Sequence, residues 1–456
     1  MRRSGWPLLV VISVVLAHAA SAATRPQYGG TLRVATHIAP VSLDPADTSQ
    51  SDSIARRNLL SLLYDTLVVM DNAGRIQPAL ASSWQVESTN QRWQFFLRKD
   101  VEFQDSSPLR ADAIAASLRS NNPGWTIYPT GNSVVIECRT PEPNLPAELA
   151  LSRNAIAKRT PMGTIFGTGP FQVAEWQPGK KLTLTAQEGY WGGRPFVDSI
   201  VIELGKSSRD QMIALDLGKA DVVEVGPEAA RRFAMQSRNV ASSAPAELIA
   251  LVFTRSAESA DQARLREALA LSIDRATIRN VLFQGQGDIA GGILPEWMSG
   301  YEFVFPGDRD LQRALQIRGD LRQASAWSVG YDPADPLARL VAERISLNAR
   351  DAGLMLQPTG SPNADMRVAR AALPTTDPRL ALESVATGLG LTQPASSGNS
   401  AEDLFKAESV LLQTKQTIPL LHVPSAVYAT SPVVKSFVLD RDGAWHVSDV
   451  WLGTAP

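Results

Sequence analysis

The sequence predicts an α/β protein built from several lobes, each a sheet covered by helices. Three observations predict it. Runs that alternate apolar and polar residues interleave along the chain with runs whose apolar residues recur at helical spacing. Clusters of Gly, Pro, Asn and Asp punctuate the runs. The 456 residues are enough for roughly two or three compact lobes with ample core.

Taken in order, Arg56 to Tyr64 reads as a helix, with Leu59, Leu60, Leu62 and Leu63 on its apolar face. Asp71-Asn72-Ala73-Gly74 turns the chain between Leu67-Val68-Val69 and Ile76. Trp84 and Val86 face Trp93, Phe95 and Leu97 across the Ser88–Gln91 turn, as a hairpin. Ala111 to Leu118 is a short helix with Asp112 in its first turn, where a carboxylate suits the helix dipole. Val134 to Glu137 is a strand.

Gly167-Thr168-Gly169-Pro170 is a turn cluster, since Gly tolerates positive φ and Pro fixes φ. It opens a meander. Phe171, Val173 and Glu175 alternate with Gln172, Ala174 and Trp176; Pro178-Gly179 turns; Leu182, Leu184 and Ala186 then alternate with Lys181, Thr183 and Thr185. Tyr190-Trp191-Gly192-Gly193-Arg194-Pro195 is a rigid aromatic loop before a third strand, Ile200 to Leu204. Gln262 to Phe283 carries one long helical pattern through Leu265, Leu269, Ile273, Ile278, Val281 and Leu282. Trp327 to Tyr331 is a strand, Pro336 to Ala352 a helix, Gly388 to Ser400 a loop, and Ala401 to Gln413 a helix.

Composition bounds the function. Hydrophobic content of 44% and charged content of 20% describe a globular chain rather than a disordered one. A net charge of −2 argues against nucleic acid as a partner, which needs a basic stripe to neutralise phosphates. Met1-Arg2-Arg3, an apolar run from Leu8 to Ala17 broken only by Ser13, and Ala20-Ser21-Ala22 together form a cleavable leader, residues 1–22. The run falls short of the about 20 apolar residues that a membrane anchor requires. Cys138 is the only cysteine, so no disulfide and no lipid-attachment cysteine at the cleavage site are expected. That combination points to the periplasm of a two-membrane bacterium.

No catalytic or metal site is predicted. His37, His422 and His446 are isolated in sequence, and no G-x-S-x-G, H-E-x-x-H or S-x-x-K motif occurs. No cofactor is expected. His422, in an apolar run between Leu421 and Val423, reads as a buried structural residue.

The GTGPF segment followed by YWGGRP and a strand resembles the bacterial extracellular solute-binding proteins of family 5, the peptide and nickel type of ABC-transporter binding protein. Gly29-Gly30-Thr31-Leu32-Arg33-Val34 with Ser42-Leu43-Asp44-Pro45 is similar to that family's opening strand and loop. Pro78 to Trp84 with Trp93 to Lys99, Leu265 to Arg275, and Ile418-Pro419-Leu420 carry the resemblance onward in the same order. It implies a type II periplasmic binding protein fold: two lobes closing on a cleft plus an inserted third lobe. Lobe I would take residues 24–51, return over 165–247 and end with 427–456; the inserted lobe II would be 52–164 and lobe III 248–426.

The implied function is capture of a small or peptide-like solute and its delivery to an inner-membrane ABC permease, by a monomer. Alternatives are a receptor-like or regulatory member without transport, and a secreted hydrolase. His37, Ile38 and Ser42 lie in the loop that lines the cleft in this family. Tyr331 and Asp332 sit where a strand end meets a helix start, the usual place for ligands in α/β sheets. Trp125, beside a Pro-Gly turn, and Tyr428, at the return to lobe I, are further candidates. Asp377 stands in the stretch Arg370 to Pro378, which matches a segment resembling G-W-x-x-D-Y-P-D-P, whose first aspartate holds the peptide ammonium in peptide-binding relatives. Here Pro374 replaces that aspartate and Ala371 the Trp. Unless Asp332, Asp335 or Asp377 substitutes, a solute without a free amino terminus is expected, because an unpaired buried ammonium is costly.

Overall fold

The computed structural model describes residues 25–454, apart from 51, 237, 302, 322–325 and 393–399. The leader at residues 1–22 lies outside the described residues.

Three sheets organise the chain. The first has seven strands in the order Phe171–Gln177, Lys181–Ala186, Ser199–Glu203, Thr31–Ala35, Val222–Glu224, Val427–Thr430, Asn239–Ser242. Its first three strands form the expected antiparallel meander, with Leu182 opposite Ile202 and Leu184 opposite Ile200. Thr31–Ala35 then runs parallel to both of its neighbours. The second sheet has six strands: Asp288–Ile289, Thr417–Pro424, Pro245–Phe253, Met366–Ala372, Ala326–Gly330, Met355–Thr359. The third has four antiparallel strands, Ala81–Val86, Arg92–Leu97, Ser133–Cys138 and Trp125–Thr130. Trp84 pairs with Phe95 and Val86 with Trp93, as the hairpin reading requires. Each sheet has its own buried apolar cluster.

The structure revises several local readings. The alternation from Phe171 fails at Ala174, where a bulge between Val173 and Glu175 turns Val173 outward, 42% exposed, on an edge strand. The long helix proposed from Gln262 to Phe283 is broken. Ala260–Ser272 is helical, Ile273 takes an extended conformation, and Asp274 caps a new turn by accepting the Thr277 N–H at 2.9 Å. In the π-turned segment Ile278–Leu282 only Ile278 is buried, and Val281, which the helical spacing places on the apolar face, is 59% exposed. A further helix, Pro378–Gly388, occupies a stretch to which periodicity assigns nothing, and ends where the segment read as a loop, Gly388 to Ser400, begins; residues 393–399 of that loop lie outside the described residues.

Gly167 and Gly169 are needed for close approach rather than for positive φ. A Cβ on Gly167 would sit 1.9 Å from the Leu63 carbonyl oxygen, and one on Gly169 2.4 Å from the Leu63 carbonyl carbon. The Gly169 N–H donates to that same oxygen at 3.0 Å, which pins the turn to the end of the helix Ile54–Ser61.

The chain crosses between the first and second sheets twice, from Ser242 to Pro245 and from Pro424 to Val427. The crossings lie side by side. The Ser243 hydroxyl accepts the N–H groups of Ser425 (3.0 Å) and Ala426 (3.2 Å) and donates to the Ala244 carbonyl (2.8 Å). Among the described residues no helix is long and apolar enough to cross a membrane.

Candidate functional site

The helix Ile54–Ser61 forms because Ser53 accepts the Arg56 N–H as its cap and Leu59 and Leu60 bury on one side. Its other side, with Val69 and Met70, forms one wall of a cavity of about 380 Å³. Pro374, Thr375 and Thr376, just past a strand of the second sheet, supply a second wall, and Asp440 to His446 a third. The walls also touch directly. Arg57 donates from both Nη atoms to the Leu373 carbonyl at 3.3 Å, and Thr376 Oγ1 donates to the Asp71 carbonyl at 3.2 Å.

At one end of the cavity lies Asp65. Its carboxylate accepts from Thr168 Oγ1 (2.9 Å), Trp191 Nε1 (2.9 Å) and the Tyr190 hydroxyl (3.0 Å). The GTGPF and YWGGRP segments therefore converge on one acidic group. Burial pushes the carboxyl up to about 6, against the three donors, which pull it down. Arg98 lies over the Trp191 ring, 4.7 Å from its centroid. At the opposite end, His446 Nε2 meets Asp440 Oδ2 at 2.7 Å, and Asn72 donates to Asp440 Oδ1 at 2.6 Å.

A second polar cluster lies where the first and second sheets face each other. The His37 N–H donates to Glu224 Oε2 at 2.7 Å, and His37 Nδ1 bonds the same oxygen. That bond raises the His37 pKa, while burial and the positive charge of Arg370, on the facing sheet, oppose it. Arg370 grips Glu247 through two parallel bonds, of 3.0 and 2.6 Å, and reaches Asp335 at 3.2 Å.

The structure scatters the sequence-predicted residues over several separate environments. Ile38 lies beside Glu224 and Tyr428 around a small gap near His37. Tyr428 itself is 3% exposed, its ring stacked against Trp445 and edge-on to Phe437, with its hydroxyl 3.4 Å from Asn58 Nδ2. Ser42 accepts the Asp44 N–H and shapes the loop before the helix. Tyr331 and Asp332 line a separate depression with Arg370, where the Asp332 carboxylate accepts the Ala334 N–H. Trp125 packs on the core of the four-stranded sheet. Asp377 caps the helix Pro378–Gly388 through the Leu380 N–H at 2.9 Å, and Asp335 caps Pro336–Asp351 while also holding Arg370. His422 is buried and bonded to the Ile293 carbonyl, as its apolar setting suggests; burial lowers its pKa to about 4.

Sequence reasoning passes over Arg57, Asp65 and Arg370. Arg57 lies within, and Asp65 just beyond, a helix that reads simply as apolar, and Asp65 has partners more than a hundred positions away. The one available signal is the recurrence of Trp, Tyr and Thr donors within the two segments that carry the resemblance. Other segments that carry the resemblance also make long-range contacts. Asp44 takes Arg159 in a two-bonded ion pair, and buried Arg275 donates to the Pro419 carbonyl at 2.8 Å. Among the described residues no three His, Cys, Asp or Glu side chains gather as a metal site would require.

Residues 75–335 match the family model described as bacterial extracellular solute-binding proteins, family 5, middle region. The chain is 26% identical over 353 residues to the peptide transport periplasmic protein SapA of Salmonella typhimurium, covering 64% of this chain and 63% of that protein. It is 24% identical over 348 residues to the dipeptide-binding protein of Escherichia coli, covering 64% and 65%. The match thus spans slightly less than two thirds of either relative. Among solved structures, NikA of Brucella suis in complex with Fe(III)-EDTA superposes with a TM-score of 0.80 at 19% identity, covering 93% of this chain and 100% of that one. The dipeptide-binding protein of Pseudoalteromonas sp. SM9913 in complex with Met-Leu gives 0.78 at 18% identity, with the same coverage. The chain has the fold of these proteins: lobes of mixed sheet and helix in the type II periplasmic binding arrangement.

Proposed function

The chain belongs to the bacterial extracellular solute-binding proteins, family 5, and from that premise we propose that it captures one small solute between two lobes and hands it to an inner-membrane ABC permease. The lobes are residues 24–51, 165–247 and 427–456 for the first, 248–426 for the second, with 52–164 inserted. The leader at 1–22 delivers the protein to the periplasm, where it works as a monomer. No chemical step on the solute is part of this reading, in keeping with a family of binding proteins.

The observation that carries the reading is the cavity of about 380 Å³ whose walls come from three separated parts of the chain. A site of that kind is completed only when the lobes come together, so a solute there binds the closed form better than the open one, and that difference is what shifts the population. The paired crossings at Ser243 and Ser425 give the lobes a narrow joint to bend about. His37, Ile38 and Ser42 on the first lobe, and Tyr331 and Asp332 on the second, belong to the facing surfaces; Asp377 holds the Pro374–Thr376 wall by capping the helix behind it. Tyr428 acts from beneath the surface, as the floor under Ile38, and Trp125 at the margin of the inserted lobe.

The test is native mass spectrometry of the mature protein purified from its own periplasm. The expected spectrum contains a protein lacking residues 1–22 together with a complex heavier by one small molecule. A protein that carries nothing, and that no low-mass medium fraction stabilises against heat, would contradict the reading.

A further inference from the structure

The cavity between the lobes has an unbalanced hydrogen-bond inventory. Most charged groups on its wall are already engaged. Asp65 has three donors, Asp440 has His446 and Asn72, and Asp442 accepts the Ala444 N–H at 3.0 Å. Asn58 is fully committed to Gly443, Tyr428 and Trp445.

Arg57 differs. Its side chain is 10% exposed, yet its guanidinium, with five N–H donors in a planar fork, reaches only the Leu373 carbonyl, through two long bonds of 3.3 Å. Nε has no hydrogen-bond partner; it forms a loose ion pair with Asp52 Oδ1 at 3.4 Å, on a side chain that is half exposed and so screened by solvent. A guanidinium held by one carbonyl and one exposed, misaligned carboxylate leaves N–H donors idle, at a cost in free energy that a well-placed acceptor removes. The side chain of Pro374, next to the carbonyl that Arg57 does reach, offers none.

We propose that Arg57 is the specificity determinant of the cavity and that the solute presents a carboxylate to it. This rests on the solute-binding reading above and names the class of solute. The guanidinium fork matches a planar carboxylate in two parallel bonds. A single negative charge suits the site better than the double charge of a phosphate, because Asp65, Asp440 and Asp442 share the wall. An ammonium finds the acidic acceptors already occupied by donors. The solute is therefore a small organic acid whose amine, where it has one, is blocked, as in an N-acylated peptide.

The experiment uses the full mature protein with defined probes: N-acetyl-alanyl-alanine, its C-terminal amide, unblocked alanyl-alanine and inorganic phosphate, each titrated by calorimetry. The acid is expected to bind, with the amide and phosphate at least tenfold weaker. Arg57→Gln is expected to weaken the acid roughly 10- to 100-fold, the range for losing a charged hydrogen-bond partner, and to leave the amide unaffected. Pro374→Asp keeps Arg57 but supplies it with an internal carboxylate, and is expected to weaken the acid as well. Circular dichroism of the unliganded variants establishes that they fold; should Arg57→Gln unfold, Pro374→Asp with the wild type carries the comparison. Equal binding of acid and amide, preference for phosphate or for the unblocked peptide, unchanged acid binding in the variants, or no binding by the acid would each overturn the proposal. Transport-type solute capture would still stand in those cases if the periplasm-purified protein carries a solute.

Discussion

Replacing Asp65 by Asn isolates the cost of holding a carboxylate where two loops and a helix end meet. The three donors lie at 2.9 to 3.0 Å, and an amide keeps this pattern: its oxygen accepts from Thr168 and Trp191, while the Tyr190 hydroxyl rotates to accept from the amide N–H. Burial has moved the carboxyl from 3.8 to about 6. In the unfolded chain the group ionises near 3.8, so between about 4 and 6 the folded state binds more protons, and wild-type stability falls as pH rises through that window. The full shift is worth at most about 3 kcal/mol; access of solvent through the cavity reduces this to about 2 kcal/mol. Asp65→Asn should match the wild type near pH 4 and exceed it by about 2 kcal/mol above pH 7. Asp65→Ala, which strands three donors, should lose roughly 2–4 kcal/mol. Urea denaturation of the three proteins at half-unit pH steps is the assay, and the difference between Asn variant and wild type removes every other titrating group. Two parallel stability curves would refute the reasoning.

Three further outcomes are expected. Gly167→Ala should lose at least about 2 kcal/mol, because its Cβ meets the Leu63 carbonyl oxygen at 1.9 Å; Gly189→Ala, whose Cβ meets nothing, should be near neutral in the same melts. Ser243→Ala strands the Ser425 and Ala426 N–H groups at the joint and should cost about 1–3 kcal/mol in chemical denaturation. His37, bonded to Glu224, should titrate above 6.5 by NMR and fall back in Glu224→Gln; whatever stability the pair supplies is present below pH 6.5 and lost as pH rises through the folded value.

The fold is legible in the sequence where pairing is local. The meander from Phe171 to Glu203 and the Trp84–Phe95 hairpin need only period-two alternation and nearby turns. The pairing of Thr31–Ala35 with Val222–Glu224 is long-range and leaves no periodic trace. The same distinction governs the site. His37 shows itself as a polar residue at a strand end, but its partner Glu224 is 187 positions away. Arg57, on an apolar helix, and Asp65, just past its end, look like ordinary polar residues, and their environment exists only once the 374–376 segment and the Tyr190–Trp191 loop are folded against them. The helix break at Ile273 is invisible to periodicity because the apolar residues recur at the same spacing on both sides of it, although beyond the break only Ile278 of Ile278–Leu282 is buried.

Whether a solute closes the lobes is read by small-angle scattering. Protein purified with its periplasmic solute is compared with the same protein after the solute has been removed by unfolding, dialysis and refolding. The radius of gyration is expected to be smaller with solute than without, and to shrink again when the solute is added back, together with a rise in stability of about 2.7 kcal/mol at a hundredfold excess over Kd. A solute that raises stability while the radius of gyration stays the same would contradict lobe closure.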